Sequence, residues 1–73
     1  MERPDWLKRV EDEHYEVCTR IDKLEAFLRI PRDPKKVSEK AWELLNKQLS
    51  AMREYRDILF LRIDLARTEL GLR

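Results

Sequence analysis

Two arginines in the stretch YRDILFLRI, Tyr55 to Ile63, lack the local partner that other basic residues of this chain have. Arg53 has Asp57, Arg9 has Glu13 and Lys47 has Glu43, each at the four-residue spacing that brings side chains together on a helix. On the same helix Arg56 would be surrounded by Met52, Arg53, Leu59 and Phe60, and Arg62 by Ile58, Leu59, Leu65 and Ala66. A guanidinium in apolar surroundings needs an acceptor, because burying an unpaired charge is costly. Three acceptors fit. A carboxylate from another helix would make a polar layer that fixes register and oligomer state. An anionic ligand, a phosphate or a carboxylate, would be held by the guanidinium fork. Solvent would serve if both side chains snorkel outward. With an anionic ligand between subunits, Arg53 or Arg62 from a neighbouring chain assists Arg56, and Tyr55, Tyr15 or Trp6 offers a ring on which a base can stack.

The other reactive residue types point away from catalysis. His14 is the one histidine of the chain, and a lone histidine is more often a satisfied boundary residue than a ligand or base. Beside Arg56 it could donate a hydrogen bond to an anion. No second histidine completes a metal site, and the carboxylates Glu11, Asp12, Glu13 and Glu16 read as a solvated face before a magnesium site. Cys18 lies four residues after His14, a spacing that allows a thiolate couple, but its plainer role is that of a small apolar residue. One glycine, Gly71, cannot build a phosphate loop or a nucleophile elbow. We expect neither an enzyme nor a metal or other cofactor.

The elements that must position these residues are helices. With a single glycine and many Leu, Glu, Lys, Arg and Ala, the composition favours helix almost throughout. The first helix is expected over about residues 4–29, from Pro4 to the residues before Pro31. Its stripe Leu7, Val10, His14, Val17, Ile21, Leu24, Leu28 is spaced alternately 3 and 4, a heptad seam. The second is expected over about residues 38–70, with Ser38 as N-cap, Val37 and Trp42 as a staple, and Gly71 as the stop. Its seam is Trp42, Leu45, Leu49, Met52, Arg56, Leu59, Ile63, Ala66, Leu70. Closing the loop over about residues 30–37 gives an antiparallel hairpin in which positions summing to about 70 face each other. His14 and Arg56 then fall at one level, and Ala66 to Arg73 overhang the first helix.

The expected fold is therefore all-α, a single domain over residues 1–73, an antiparallel two-helix hairpin assembling into a helical-bundle homo-oligomer. A chain this short gains only about 3–5 kcal/mol from its own core, and one cysteine forbids an internal disulfide. A second apolar set on helix two, Leu44, Ala51, Tyr55, Ile58 and Leu65, would face water in a lone hairpin. The expected partner is the chain itself, through Tyr55 to Ile63 and through the faces bearing Trp6 and Tyr15. Basic and acidic residues balance, nine of each over residues 1–36 and seven against six over residues 37–73. That balance disfavours nucleic acid; the basic loop Arg29, Arg32, Lys35, Lys36 lacks interleaved aromatics. No apolar run suits a membrane span or a signal peptide, so a cytoplasmic protein is expected.

The segments IDKLEAFL (Ile21 to Leu28) and LLNKQLSAMREYRDILFLRI (Leu44 to Ile63) resemble a family of small helical proteins of tailed and crAss-like bacteriophages. The resemblance spans about two thirds of the chain and departs from the family pattern in the loop RIPRDPKKVSEKA. It implies a non-structural phage protein without enzymatic activity. Some small oligomeric helical phage proteins sequester nucleotide second messengers at subunit interfaces built from arginines and aromatics. No residue of a sponge motif carries over to this chain, so that part is an analogy of size, assembly and site type. The expectation is an anti-defence sponge for an anionic nucleotide signal in the host cell, with Arg56, Arg53, Arg62, Tyr55, Tyr15 and His14 at its site. The alternative is a helical adaptor or inhibitor that docks its apolar face on a host or phage protein.

Overall fold

The computed structural model describes residues 3–72, which form two helices, α1 over Asp5–Arg29 and α2 over Glu39–Glu69, packed against each other as a hairpin with no strand among the described residues. Local chemistry sets the boundaries. Pro4 stands at the N-cap position with its carbonyl accepting from the Leu7 and Lys8 amides, and Asp5 and Arg29 complement the two ends of the helix dipole. α1 stops at Ile30, which is extended because Pro31 bars it from the helical region. In the loop Asp33 accepts from the Lys36 and Val37 amides through its carbonyl and from the Lys35 amide through Oδ1, and the Arg32 guanidinium donates to the Val37 carbonyl at 2.9 Å. Ser38 caps α2 as its sequence position suggests, its Oγ accepting from the Ala41 amide at 3.1 Å.

The end of α2 is a Schellman turn. Gly71 adopts φ 68°, the Leu72 amide donates to the Arg67 carbonyl and the Gly71 amide to the Thr68 carbonyl. This turn folds Leu72 back onto the core with Leu70, against Leu7, Ile63 and Ala66. The expected overhang of Ala66 to Arg73 is thereby corrected for its described part: Ala66 is buried, and Leu70 and Leu72 cover the start of α1. Arg73 lies outside the described residues.

The core runs along the seam in two clusters, Leu7, Ile63, Ala66 and Val17, Ile21, Leu49, Leu59, and Val10 touches both. Phe27 and Trp42 close it at the loop with ring centroids 5.8 Å apart. The molecule is a rod of 54 × 16 × 15 Å with a radius of gyration of 16.4 Å, against roughly 11 Å for a compact domain of this length. Its accessible surface is 6090 Å², against roughly 4800 Å² for a compact monomer of this mass. Two helices bury one seam and leave the other faces uncovered.

Candidate functional site

Glu11 and Glu25 each follow a seam residue of α1, and Arg53 and Arg67 each follow a seam residue of α2. One step along a helix turns a side chain about 100° out of the interface, and the structure shows that all four turn out onto one edge. Glu25 accepts from Arg53 at 2.5 Å, and Glu11 accepts from Arg67. The second Glu11 partner is Arg3, at 2.8 Å and 2.9 Å to the two carboxylate oxygens. Glu11 is nearly enclosed, its side chain 14% exposed, while those of Arg3 and Arg67 are 56% and 45% exposed. The hydrogen bond from Arg67, aided by the nearby Arg3 charge, holds the Glu11 carboxyl below its ordinary range. The hydrogen bond from Arg53 does the same for Glu25, and the charges of Arg29 and Arg56 add to it.

Between these two ion-pair clusters the same edge carries rings. The His14 ring stands 6.2 Å from that of Phe60, tilted by 43°, and its Nε2 is 3.8 Å from Cys18 Sγ. His14, Phe60, Tyr15, Cys18 and Ile63 line a groove of about 380 Å³ that is closed at one end by Glu11 and Arg67. Tyr15 is 74% exposed and Phe60 57% exposed, so a flat ligand could meet two rings here without displacing any core side chain. One carboxylate facing two guanidiniums leaves an excess of positive charge at the end of the groove.

The residues expected to form a site from the sequence are divided by this geometry. His14 and Tyr15 line the groove. Arg53 lies on the same edge but pairs with Glu25 of α1, not with Asp57 as its spacing suggests. Asp57 is instead beside Arg56, whose Nε lies 3.2 Å from Oδ1, with the Arg56 side chain 35% exposed. The expected layer of His14 and Arg56 is also corrected. The ring opposite His14 is Phe60, one turn beyond Arg56. Cross-helix partners sum to 74 for His14 with Phe60 and to 78 for Glu11 with Arg67 and Glu25 with Arg53, whereas Phe27 with Trp42 gives 69, near the expected 70. A further pair at the four-residue spacing, Glu16 with Arg20, stands at 4.0 Å.

Tyr55 and Arg62 belong elsewhere. Tyr55 lies five positions before Phe60 and Arg62 two positions after it, which puts both on the opposite side of α2, about 140–160° away. Arg62 is exposed and makes no ion pair among the described residues. Sequence reasoning missed Phe60, Glu11 and Arg67 as groove residues. Their common position just after or near a seam residue is the signal that could have found them. Among the described residues there is no group of His, Cys, Asp and Glu able to hold a metal ion, and no helix is long and apolar enough to cross a membrane.

Comparisons with curated proteins and with solved structures gave no match. The profile of the Sequestin family matches residues 4–65, through all of α1, the loop and α2 as far as Leu65. A match over that much of both helices shows that the chain belongs to the Sequestin family.

Proposed function

We propose that this chain is a non-catalytic sponge for an anionic nucleotide, a phage anti-defence protein that holds an immune signal in the host cytoplasm and withdraws it from solution. The family name speaks of sequestration, and binding without turnover is all that sequestration requires. The observation that carries the reading is the groove, which sets two rings and a histidine beside arginines. A base packs between Tyr15 and Phe60, His14 donates to it, and the phosphate meets Arg67 and Arg3 at the closed end. Further along, Arg56, beside the exposed Asp57, and Arg53, paired with Glu25, extend the cationic surface to a second phosphate. A groove of about 380 Å³ lies at the small end of ligand pockets, roughly 300–1,000 Å³. Tyr55 and Arg62, on the far side of α2, are left to the self-association we propose for the chain.

Native mass spectrometry of the protein purified from its expression host tests this. The expected result is a discrete species carrying a few hundred daltons of additional mass per chain, lost in Phe60→Ala. Failure to retain or bind any of a panel of cyclic and linear nucleotides by calorimetry would refute it. The second reading, a helical module that docks on a foreign protein, is favoured by the exposure of Leu44, Ile58, Leu61 and Leu65. A ligand-free monomer would support that module.

A further inference from the structure

The loop end of the rod carries a second cavity, apart from the groove. Phe27 stands nine residues beyond Cys18 along α1, about 14 Å. Phe27, Ile30, Pro31, Val37 and Trp42 line this cavity of about 310 Å³, and its polar lining residues are Asp33 and Lys36. Ile30 is 63% and Phe27 43% exposed. Exposed apolar side chains gathered around one cavity mark a binding surface, as single ones do not. Charge is gathered at the same end. Residues 29–40 hold five basic side chains, Arg29, Arg32, Lys35, Lys36 and Lys40, against Asp33 and Glu39, a net of +3, and the chain's total of +1 leaves −2 for the rest. Arg32 donates to the Val37 carbonyl, whereas Lys35, Lys36 and Lys40 make no ion pair among the described residues. The backbone beneath these lysines is braced. Pro31 and Pro34 restrict it, and Asp33 holds the Lys36 and Val37 amides through its carbonyl and the Lys35 amide through its carboxylate. Cations displayed on a braced loop lose little freedom when an anion arrives.

We infer that this end of the hairpin docks an acidic segment of another protein, one large apolar side chain of which enters the cavity while carboxylates on either side meet Lys35, Lys36 and Arg29. Charge complementarity names the sign of the partner, and the cavity names its class. A bilayer has no side chain to fill a hole of this size and is instead entered by protruding apolar groups. A nucleic-acid backbone calls for more cations than these, since Arg32 is engaged by the loop and the Arg29 charge already serves Glu25. The Phe27 and Trp42 rings are also tilted by 46°, which leaves no parallel pair of faces to clamp a base. A short peptide meets both requirements at once, with its apolar anchor in the pocket and its charges on the rim. The inference stands apart from the sponge reading, because this cavity and the groove share no lining residue.

In a Trp6→Phe background Trp42 is the one tryptophan of the chain, and its emission reports from the cavity wall. The probe is a synthetic peptide with blocked ends, Glu-Asp-Glu-Phe-Glu-Asp-Glu. One control carries Ala in place of Phe, and the other carries Gln and Asn in place of the acids. The expected result is a saturable change in Trp42 emission below about 1 mM peptide, at least about tenfold weaker with either control, and weakened severalfold as salt rises from about 50 to 300 mM. Ile30→Asp, at an exposed position, and Lys35→Glu/Lys36→Glu should each weaken binding at least about tenfold and leave the circular dichroism spectrum unchanged. No saturation by about 1 mM, equal binding of either control, or undiminished binding by both variants would overturn the inference. So would a Trp42 response to phosphatidylglycerol vesicles or single-stranded DNA in place of the peptide. A native mass that falls in Ile30→Asp would overturn it as well, since a second copy would then fill the cavity.

Discussion

Leu59 and Phe60 are neighbours in the stretch YRDILFLRI, and the structure gives them opposite fates. Leu59 is 1% exposed and packed with Val17, Ile21 and Leu49, whereas Phe60 is 57% exposed, its ring 6.2 Å from that of His14 and tilted to it. Replacing Leu59 by alanine removes three carbons from water-free surroundings, about 2.4 kcal/mol of transfer free energy. The cavity left behind raises the total toward about 3–5 kcal/mol. Phe60→Ala loses a partly solvated ring contact, about 0.5–1 kcal/mol. A chain with about 3–5 kcal/mol of core stability should therefore stand near its folding midpoint as Leu59→Ala and remain folded as Phe60→Ala. Urea unfolding followed by circular dichroism measures both, at one fixed protein concentration because any self-association would stabilise the chain by mass action. If Phe60→Ala costs as much as Leu59→Ala, α2 is rotated relative to the arrangement described, and the groove dissolves with it.

Other outcomes follow from single features. Gly71→Ala, with nothing within 4 Å of the added methyl but φ at 68°, should cost about 1 kcal/mol through backbone strain alone and be seen as an earlier urea midpoint. Glu11 and Glu25 have folded values below their ordinary 4.5, so their contribution is complete above that pH and is lost as pH falls through the folded values. The urea midpoint of the parent chain should accordingly drop in that acidic window, and a Glu11→Gln/Glu25→Gln variant should drop less. Arg67→Ala should weaken nucleotide binding by at least about tenfold, the weight of one charge-assisted contact, and Arg56→Ala should weaken it without changing the oligomer mass. Calorimetry and native mass read the two effects apart.

Much of the hairpin is legible in the sequence because its punctuation is chemical and local. Pro31 ends α1 through its restriction on Ile30, Ser38 caps α2, and Gly71 stops it. The register was harder to read, and the reason is the heptad itself. A seam spaced 3 and 4 nearly superposes on itself when slid by one turn, so apolar spacing alone cannot tell a sum of 70 from one of 74. What distinguishes them are residues outside the seam: the Glu11 and Glu25 carboxylates reaching Arg67 and Arg53, and Leu72 folding back over Leu7. The level of His14 was misplaced for the same reason. Arg56 draws attention by interrupting the seam, yet the groove is built from the residues beside it, His14 with Phe60 and Glu11 with Arg67.

The two uncovered faces of α2 differ in a way that bears on what each can do. The face bearing Phe60 and Arg67 is uneven: its ring lies against an imidazole and its cation is already held by Glu11, so an arriving anion must compete with a carboxylate. Competition of that kind lowers affinity for any lone anion and favours a ligand that brings a second contact, a base for Tyr15 and Phe60, along with its phosphate. The face bearing Tyr55 and Ile58 offers long apolar continuity and a single cation, which suits a partner of the same shape better than a small molecule. Glu11→Gln separates these roles. It removes the competing charge without touching the face bearing Tyr55 and Ile58, so it should tighten nucleotide binding by roughly 3- to 100-fold, the effect of one unit charge some 6 Å away between the dielectric of water and that near a protein surface. The native mass of the ligand-free protein should be unaffected. Weaker binding in Glu11→Gln would mean that the carboxylate positions Arg67 for the ligand instead of competing with it.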